Sequence, residues 1–319
     1  PMRSISVPAH VVDKLANAKG VRFVANDGLV STQAYVADSM LEPMPVEIYV
    51  ENGNSGLETA NVPMDSSVKL SSADVGVAVI DSGVANHYDL NVAGRYNCLL
   101  SSFASKFAKE TSCVDTVTMN TDSADFDPFG HGTHVAGVAT GDGSLSFNKY
   151  QGVTANLPIH SFQVLNGQGQ GQVSDVIAAL DWILANGDLT NIRVVNLSLG
   201  KGVEESNATD PLVLAVEQVW DAGYVVVASA GNYGLHGNFT ITSPGNSRKI
   251  ITVGSLTDSG TGTDFSDDYV STYSSRGPTL VDHVLKPDLL APGNRYVASI
   301  PLDSYLQKLL GFLQEQCTI

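Results

Sequence analysis

Val75-Gly76-Val77-Ala78-Val79-Ile80-Asp81-Ser82-Gly83 is an almost unbroken apolar run that ends on a carboxylate and a sharp turn. A strand covered on both faces loses the in-out alternation of a half-buried one, so this run reads as a central strand of a parallel sheet. Comparable runs recur at Ile159–Leu165, Val194–Leu199, Val225–Ala228 and Ile250–Val253, and helical patterns over Val173–Ala185 and Pro211–Ala222 fall between them. Buried strands alternating with helices imply right-handed crossovers, hence a doubly wound, mostly parallel α/β sheet with helices on both faces. Sheets of this kind bind ligands beyond the carboxyl ends of their strands, and Asp81 falls at such an end.

Composition narrows the partners. Lys and Arg total 17 against 33 Asp and Glu, a net charge of −16, which repels a phosphate backbone and excludes nucleic acid. No apolar run reaches the roughly 18 residues of a membrane span, so no membrane partner is expected. Three cysteines allow at most one bridge. Cys98 and Cys113 either close a loop within a Ser-rich stretch or stand as two free, partly buried thiols, and Cys317 is alone. Position 1 is Pro with no basic and apolar leader behind it, so the chain reads as an internal piece whose leader, if any, lies upstream.

Two further stretches carry chemistry. In Gly130-His131-Gly132-Thr133-His134-Val135-Ala136-Gly137 an imidazole opens a helix, flanked by glycines that let another backbone come close. Val227-Ala228-Ser229-Ala230-Gly231-Asn232 is an apolar strand ending in small residues and an amide. Taken singly, an Asp ending a strand is a common turn former, and Ala-Gly-Asn is a common turn. His131 and His134, three apart on one helix, offer two metal ligands with no third placed by sequence, so no metal site is assigned and a hydrogen-bonded His134 is the better reading. His10, His87, His160, His236 and His283 sit in no motif.

In their order along the chain, Asp81, His131 and Asn232 resemble the subtilisin-like serine proteases, whose triad runs Asp, His, Ser; that order is a standard worked case. Tyr273-Ser274-Ser275-Arg276-Gly277-Pro278 and Lys286-Pro287-Asp288-Leu289-Leu290-Ala291-Pro292-Gly293 match two more landmarks of that family. The resemblance covers about residues 75–300. It implies that Asp81 orients His131, that His131 acts as general base and then acid, and that Asn232 donates to the oxyanion. It also implies that Gly169, Gln170 and Gly171, with Ser198, Leu199 and Gly200, form two edges that hold an extended peptide, and that Ala230 and Gly231 also bind substrate. Exposed backbone groups beside small side chains are what strand addition needs. Lys201 stands where the family often has another glycine, which points to an altered specificity pocket.

The family's Gly-Thr-Ser-Met-Ala-type segment, which carries the nucleophile, is absent from these 319 residues. The expectation is a secreted, monomeric serine endopeptidase by family whose given chain is itself inactive. The alternative is a catalytically dead pseudoprotease that binds extended peptides or a proregion. Polypeptide substrates and the chain's own propeptide are the expected partners. No cofactor is required, and structural calcium is the one ion the family leaves room for. The acidic stretches Asp122–Asp127 and 264–268 lack a compact ligand spacing and read as solvated loops.

Organisation follows. Residues 1–31 read as the C-terminal part of a small α+β propeptide-like unit: a helix from about Val7 to Leu15, a strand-like Val21–Val24, and an Asn26-Asp27-Gly28 turn. Residues 32–74 read as a linker and the start of the mature region, with one strand at Val46–Val50. Residues 75–300 form the catalytic domain, incomplete, and 301–319 an amphipathic tail with apolar positions from Leu306 to Leu313. Ser299 and Ser304 are the hydroxyls nearest the missing segment, and neither has its context.

Overall fold

The computed structural model describes residues 9–17, 21, 24–25, 27–32, 75–99, 113–116, 126–259, 265–294 and 296–309. Strands β2 (Gly76–Asp81), β5 (Ile159–Gln163), β7 (Ile192–Leu197), β9 (Val225–Ser229) and β10 (Ile251–Thr257) are the runs legible in the sequence. With β3 (Val92–Asn97), β4 (Val114–Asp115), β11 (Tyr269–Val270) and β12 (Leu289–Pro292) they make a nine-stranded sheet, ordered β11-β10-β9-β7-β2-β5-β3-β4 with β12 beside β10. Only the β3–β4 and β10–β11 pairs are antiparallel. β2 therefore lies mid-sheet, with Asp81 paired to Gln163 of β5 and Ile80 to Leu197 of β7.

Both faces of β2 are covered, which explains its continuous apolar sequence. Ala78 and Ile80 join the core beneath α3 (Val173–Asn186) and α4 (Pro211–Asp221), with Phe162, Val195, Leu197, Val226 and Ala228. Val77 and Val79 face the other way, into a second cluster with Ile159 and Ala136 of α2 (His131–Thr140). Each helix start has a local cause. Asp210 caps α4 through the amide of Leu212, with Pro211 at the first helical position. At α3, Gln172 and Asp175 form a reciprocal capping box. A disulfide joins Cys98 to Cys113, which settles the alternative left open by the cysteine count.

At the N-terminal end, α1 (Ala9–Ala16) matches the expected helix, but Val21 and Val24 are exposed and lie outside any strand. The strand of this region is instead β1 (Leu29–Thr32), which fills the slot between β6 (Gln170–Gln172) and β8 (Leu199–Gly200) in a separate antiparallel sheet. The reason is pairing: Val30 is buried at 1% exposure and β1 finds a partner on both sides, whereas Val21 and Val24 are exposed. The expected strand at Val46–Val50 lies outside the described residues, as do 310–319 of the amphipathic tail. Residues 305–309 are helical.

Candidate active site

The parallel sheet brings the ends of β2, β5, β7 and β9 to one edge, and the residues singled out in the sequence gather there. Asp81, the last residue of β2, is fully buried, and its Oδ1 accepts from the Ser82 amide at 2.7 Å. His131 opens α2 directly opposite. Its Nδ1 lies 2.8 Å from Asp81 Oδ1 and 2.9 Å from Oδ2, so an Nδ1–H donates to the carboxylate and leaves Nε2 as the ring's free lone pair.

This approach depends on glycines. A side chain at Gly132 would strike the Gly83 carbonyl and come within 3.1 Å of Asp81 Cβ, so only a bare Cα lets α2 sit this close to β2. Gly130 ends the preceding loop at φ 102°, and a Cβ there would stand 2.7 Å from Ser304 Oγ.

Burial lowers the proton affinity of His131, but the charge and hydrogen bond of Asp81, aided by Asp127, outweigh it and its pKa is raised. His134 goes the other way. Burial, then repulsion from His131, pulls it down to about 4 despite the Tyr296 carbonyl 3.4 Å from Nε2. A histidine held neutral against a carbonyl is a structural group, as the sequence reading favoured.

The two backbone edges are joined by the chain's own β1. Leu29, Val30 and Ser31 pair with Gln172, Gly171 and Gln170, while Ser31 and Thr32 pair with Gly200 and Leu199. The Thr32 amide donates to the Gly169 carbonyl at 3.1 Å, and the Val173 amide to the Gly28 carbonyl at 2.9 Å. Just ahead, the Asp27 carboxylate accepts from the amide and hydroxyl of Ser174 at 2.8 and 2.6 Å. Gly169 itself adopts φ +71°, and a Cβ there would stand 2.8 Å from the Phe129 ring.

Ala230, Gly231 and Asn232 follow β9, two strands from β2 along the same edge. Gly231 needs its φ of +107°, and a side chain there would meet Thr242 and Ser275. The Ser275 amide donates to the Gly231 carbonyl and the Tyr233 amide to Ser275 Oγ, so the Tyr273–Pro278 landmark brackets the loop that carries Asn232. Ser198 receives a hydrogen bond from the Asn196 amide group at 3.0 Å. Lys201, the expected departure, turns its Nζ to within 3.3 Å of buried Asp210, and its stem lies against Gly28. Ser304 Oγ donates to the Pro301 carbonyl and accepts from the Gln307 amide, which commits it to capping the 305–309 turn.

One acidic residue departs from its expected solvated loop. Asp127 is fully buried and accepts hydrogen bonds from Ser82 Oγ, the Gly130 amide, and the amide and hydroxyl of Thr133. A carboxylate already ringed by donors does not fit a calcium ligand. Among the described residues no group of three or more His, Cys, Asp or Glu side chains converges on a metal position. The only hint in the sequence was an acid three residues before the glycine that precedes the helix.

The sequence matches the Subtilase family over residues 72–317, a span that takes in Asp81, His131, both backbone edges and Asn232. The chain belongs to the Subtilase family. It is similar to the serine protease AprX of Bacillus subtilis (strain 168), 38% identical over 245 residues that cover 75% of this chain and 51% of AprX. Subtilisin DY of Bacillus licheniformis is 33% identical over 236 residues, covering 73% of this chain and 69% of that protein. Among solved structures, Sphericase superposes with a TM-score of 0.58 at 25% identity, covering 79% of this chain and 76% of that one. The chain thus spans about half the length of AprX, and the subtilase match continues past residue 300 into the segment set apart in the sequence reading as a tail.

Proposed function

We propose that the site is the peptide-hydrolysing centre of a subtilisin-type serine endopeptidase, with the nucleophile supplied by a segment these 319 residues do not contain. A serine hydroxyl is a weak nucleophile until an imidazole takes its proton, and the imidazole needs a carboxylate to hold its tautomer and stabilise its cation. In this reading Asp81 holds Nδ1–H and His131 Nε2 removes the serine proton. The same nitrogen returns the proton to the leaving amine, and water then hydrolyses the acyl-enzyme. The Asn232 amide donates to the oxyanion, a contribution of about 3–4 kcal/mol in this family, which is the standard worked example for such a donor.

The observation that carries the reading is the Asp81–His131 contact of 2.8 Å at the carboxyl edge of a parallel sheet. The strand Leu29–Thr32 supports it from the substrate side: it lies antiparallel to both edges as an extended polypeptide would. In this reading residues up to about 32 are the end of the chain's own propeptide, and the protein is secreted. The family's independence of cofactors fits a mechanism built from side chains alone.

The same strand favours a second reading for the chain as given. Without a nucleophile it is a binder of extended peptides, and affinity for such a peptide then survives His131→Ala. The two are separated by supplying a Gly-Thr-Ser-Met-Ala-bearing subtilase segment in frame. The endopeptidase reading expects casein hydrolysis that is blocked by a serine-directed phosphonate and abolished by His131→Ala, while the unextended chain matches buffer. A folded, extended protein with no such hydrolysis overturns it.

A further inference from the structure

Asp127 is a fully buried carboxylate beside the site that the triad chemistry does not use. Its partners share one feature: they surround His131 in sequence and in space. Oδ1 takes the Gly130 amide at 2.7 Å and Ser82 Oγ at 2.8 Å. Oδ2 takes the Thr133 amide at 2.8 Å and its hydroxyl at 2.6 Å. Ser82 Oγ in turn accepts from the Gly132 amide at 3.0 Å, and Thr133 Oγ1 accepts from the Ala85 amide at 3.0 Å. The carboxylate therefore collects, directly or through one hydroxyl, the amides of residues 130, 132 and 133, three of the N–H groups at the start of α2 that have no partner within the helix. It also ties that turn to Ser82 and Ala85, on the loop that follows Asp81.

We propose that Asp127 is a positioning residue for His131: one buried carboxylate clamps the first turn of α2 to the loop after β2 and places a second negative charge beside the imidazole. The proposal rests on the protease reading for its catalytic meaning, though not for its physics. Two amides that can only donate, and two hydroxyls that already accept from the Gly132 and Ala85 amides, face the carboxylate, an arrangement that favours the ionised group. A helix N-terminus also favours a negative charge there. These act against burial, which is the larger effect and holds the Asp127 carboxyl above the ordinary carboxylate range. The charged and titratable groups facing His131 are then Asp81 from β2, Asp127 from the loop before α2, and His134 from α2 itself, which stays neutral above about pH 4. Two carboxylates favour the imidazolium that forms when the ring takes a proton. In the complete enzyme, Asp127 accordingly strengthens His131 as a base without touching the substrate.

The test reads His131 directly by following its ring Cε1–H signal by NMR against pH in the intact chain. Asp127→Asn, folded by circular dichroism, should release the His131 proton at lower pH than the parent, a severalfold larger acid dissociation constant. Ser82→Ala, which cuts one clamp bond but keeps the charge, should lower thermal stability with little change in that constant. A folded Asp127→Asn chain with the parent's His131 titration overturns the proposal. If that variant does not fold, the carboxyl ¹³C signal of Asp127 in the parent decides. A carboxylate that stays ionised while His131 titrates upholds the proposal, and one that is protonated throughout overturns it. None of these readouts needs hydrolysis, so failure of the protease reading is a separate result.

Discussion

Two histidines three residues apart on one helix titrate in opposite directions, and their neighbours explain why. His131 meets a carboxylate and is held up; His134 meets a carbonyl and its own twin's charge and is held down to about 4. An unfolded chain takes up the His134 proton near the ordinary 6.5, whereas the folded chain takes it only near 4. Between those values the unfolded state binds more protons, so His134 costs stability as pH falls through the window and no further below it. His131 has the opposite sign: its raised pKa adds stability below about 6.5, and that addition is lost as pH rises through the folded value. We expect His134→Gln to flatten the loss of unfolding free energy between pH 6.5 and 4, read from denaturant melts, by a few kcal/mol at most. A parent chain whose midpoint does not change over that range would contradict this. Asp81 and His131 were legible because glycines and an apolar strand frame them. Asp127 was not, since an acid in a loop has no pattern until its donors are seen.

The helices α3 and α4 and the strands β2, β7 and β9 were readable for physical reasons. Their apolar periodicity reflects burial on faces that the sequence must supply. β3 escaped notice because Val92-Ala93-Gly94-Arg95-Tyr96-Asn97 breaks the pattern with Gly and Arg, and it becomes a strand by pairing with β5. β1 was missed for a related reason: Leu-Val-Ser-Thr is too short to declare itself, and two waiting edges decide its state. Its anchor is Val30, buried in the same cluster as Leu165, Val173, Ile177 and Leu199. Removing two methyl groups at about 0.8 kcal/mol each should weaken the docking by roughly tenfold. Val30→Ala is therefore expected to speed hydrogen exchange at the Thr32 and Val173 amides about tenfold, while amides of β2 and β7 keep their rates. Unchanged exchange at Thr32 and Val173 would mean that the strand is held by something other than this side chain.

Across the molecule, the topology does what no single motif could. Parallel pairing delivers the ends of four strands to one edge, so Asp81, 198–200 and 229–232 follow neighbouring strands along it and His131 joins Asp81 there, although 81 and 232 are 151 positions apart in sequence. Buried clusters cover both sheet faces, and β1 pairs with the backbone of β6 and β8. The function proposed here comes down to one proton: it must sit on Nδ1 of His131, facing Asp81, so that Nε2 is free to receive another. Nitrogen-15 NMR of the imidazole, recorded above its pKa in the chain as it stands, reads that directly. The expected spectrum has a protonated Nδ1 and a bare Nε2, reversed or mixed on Asp81→Asn. A neutral ring carrying its proton on Nε2 in the parent chain would contradict the account.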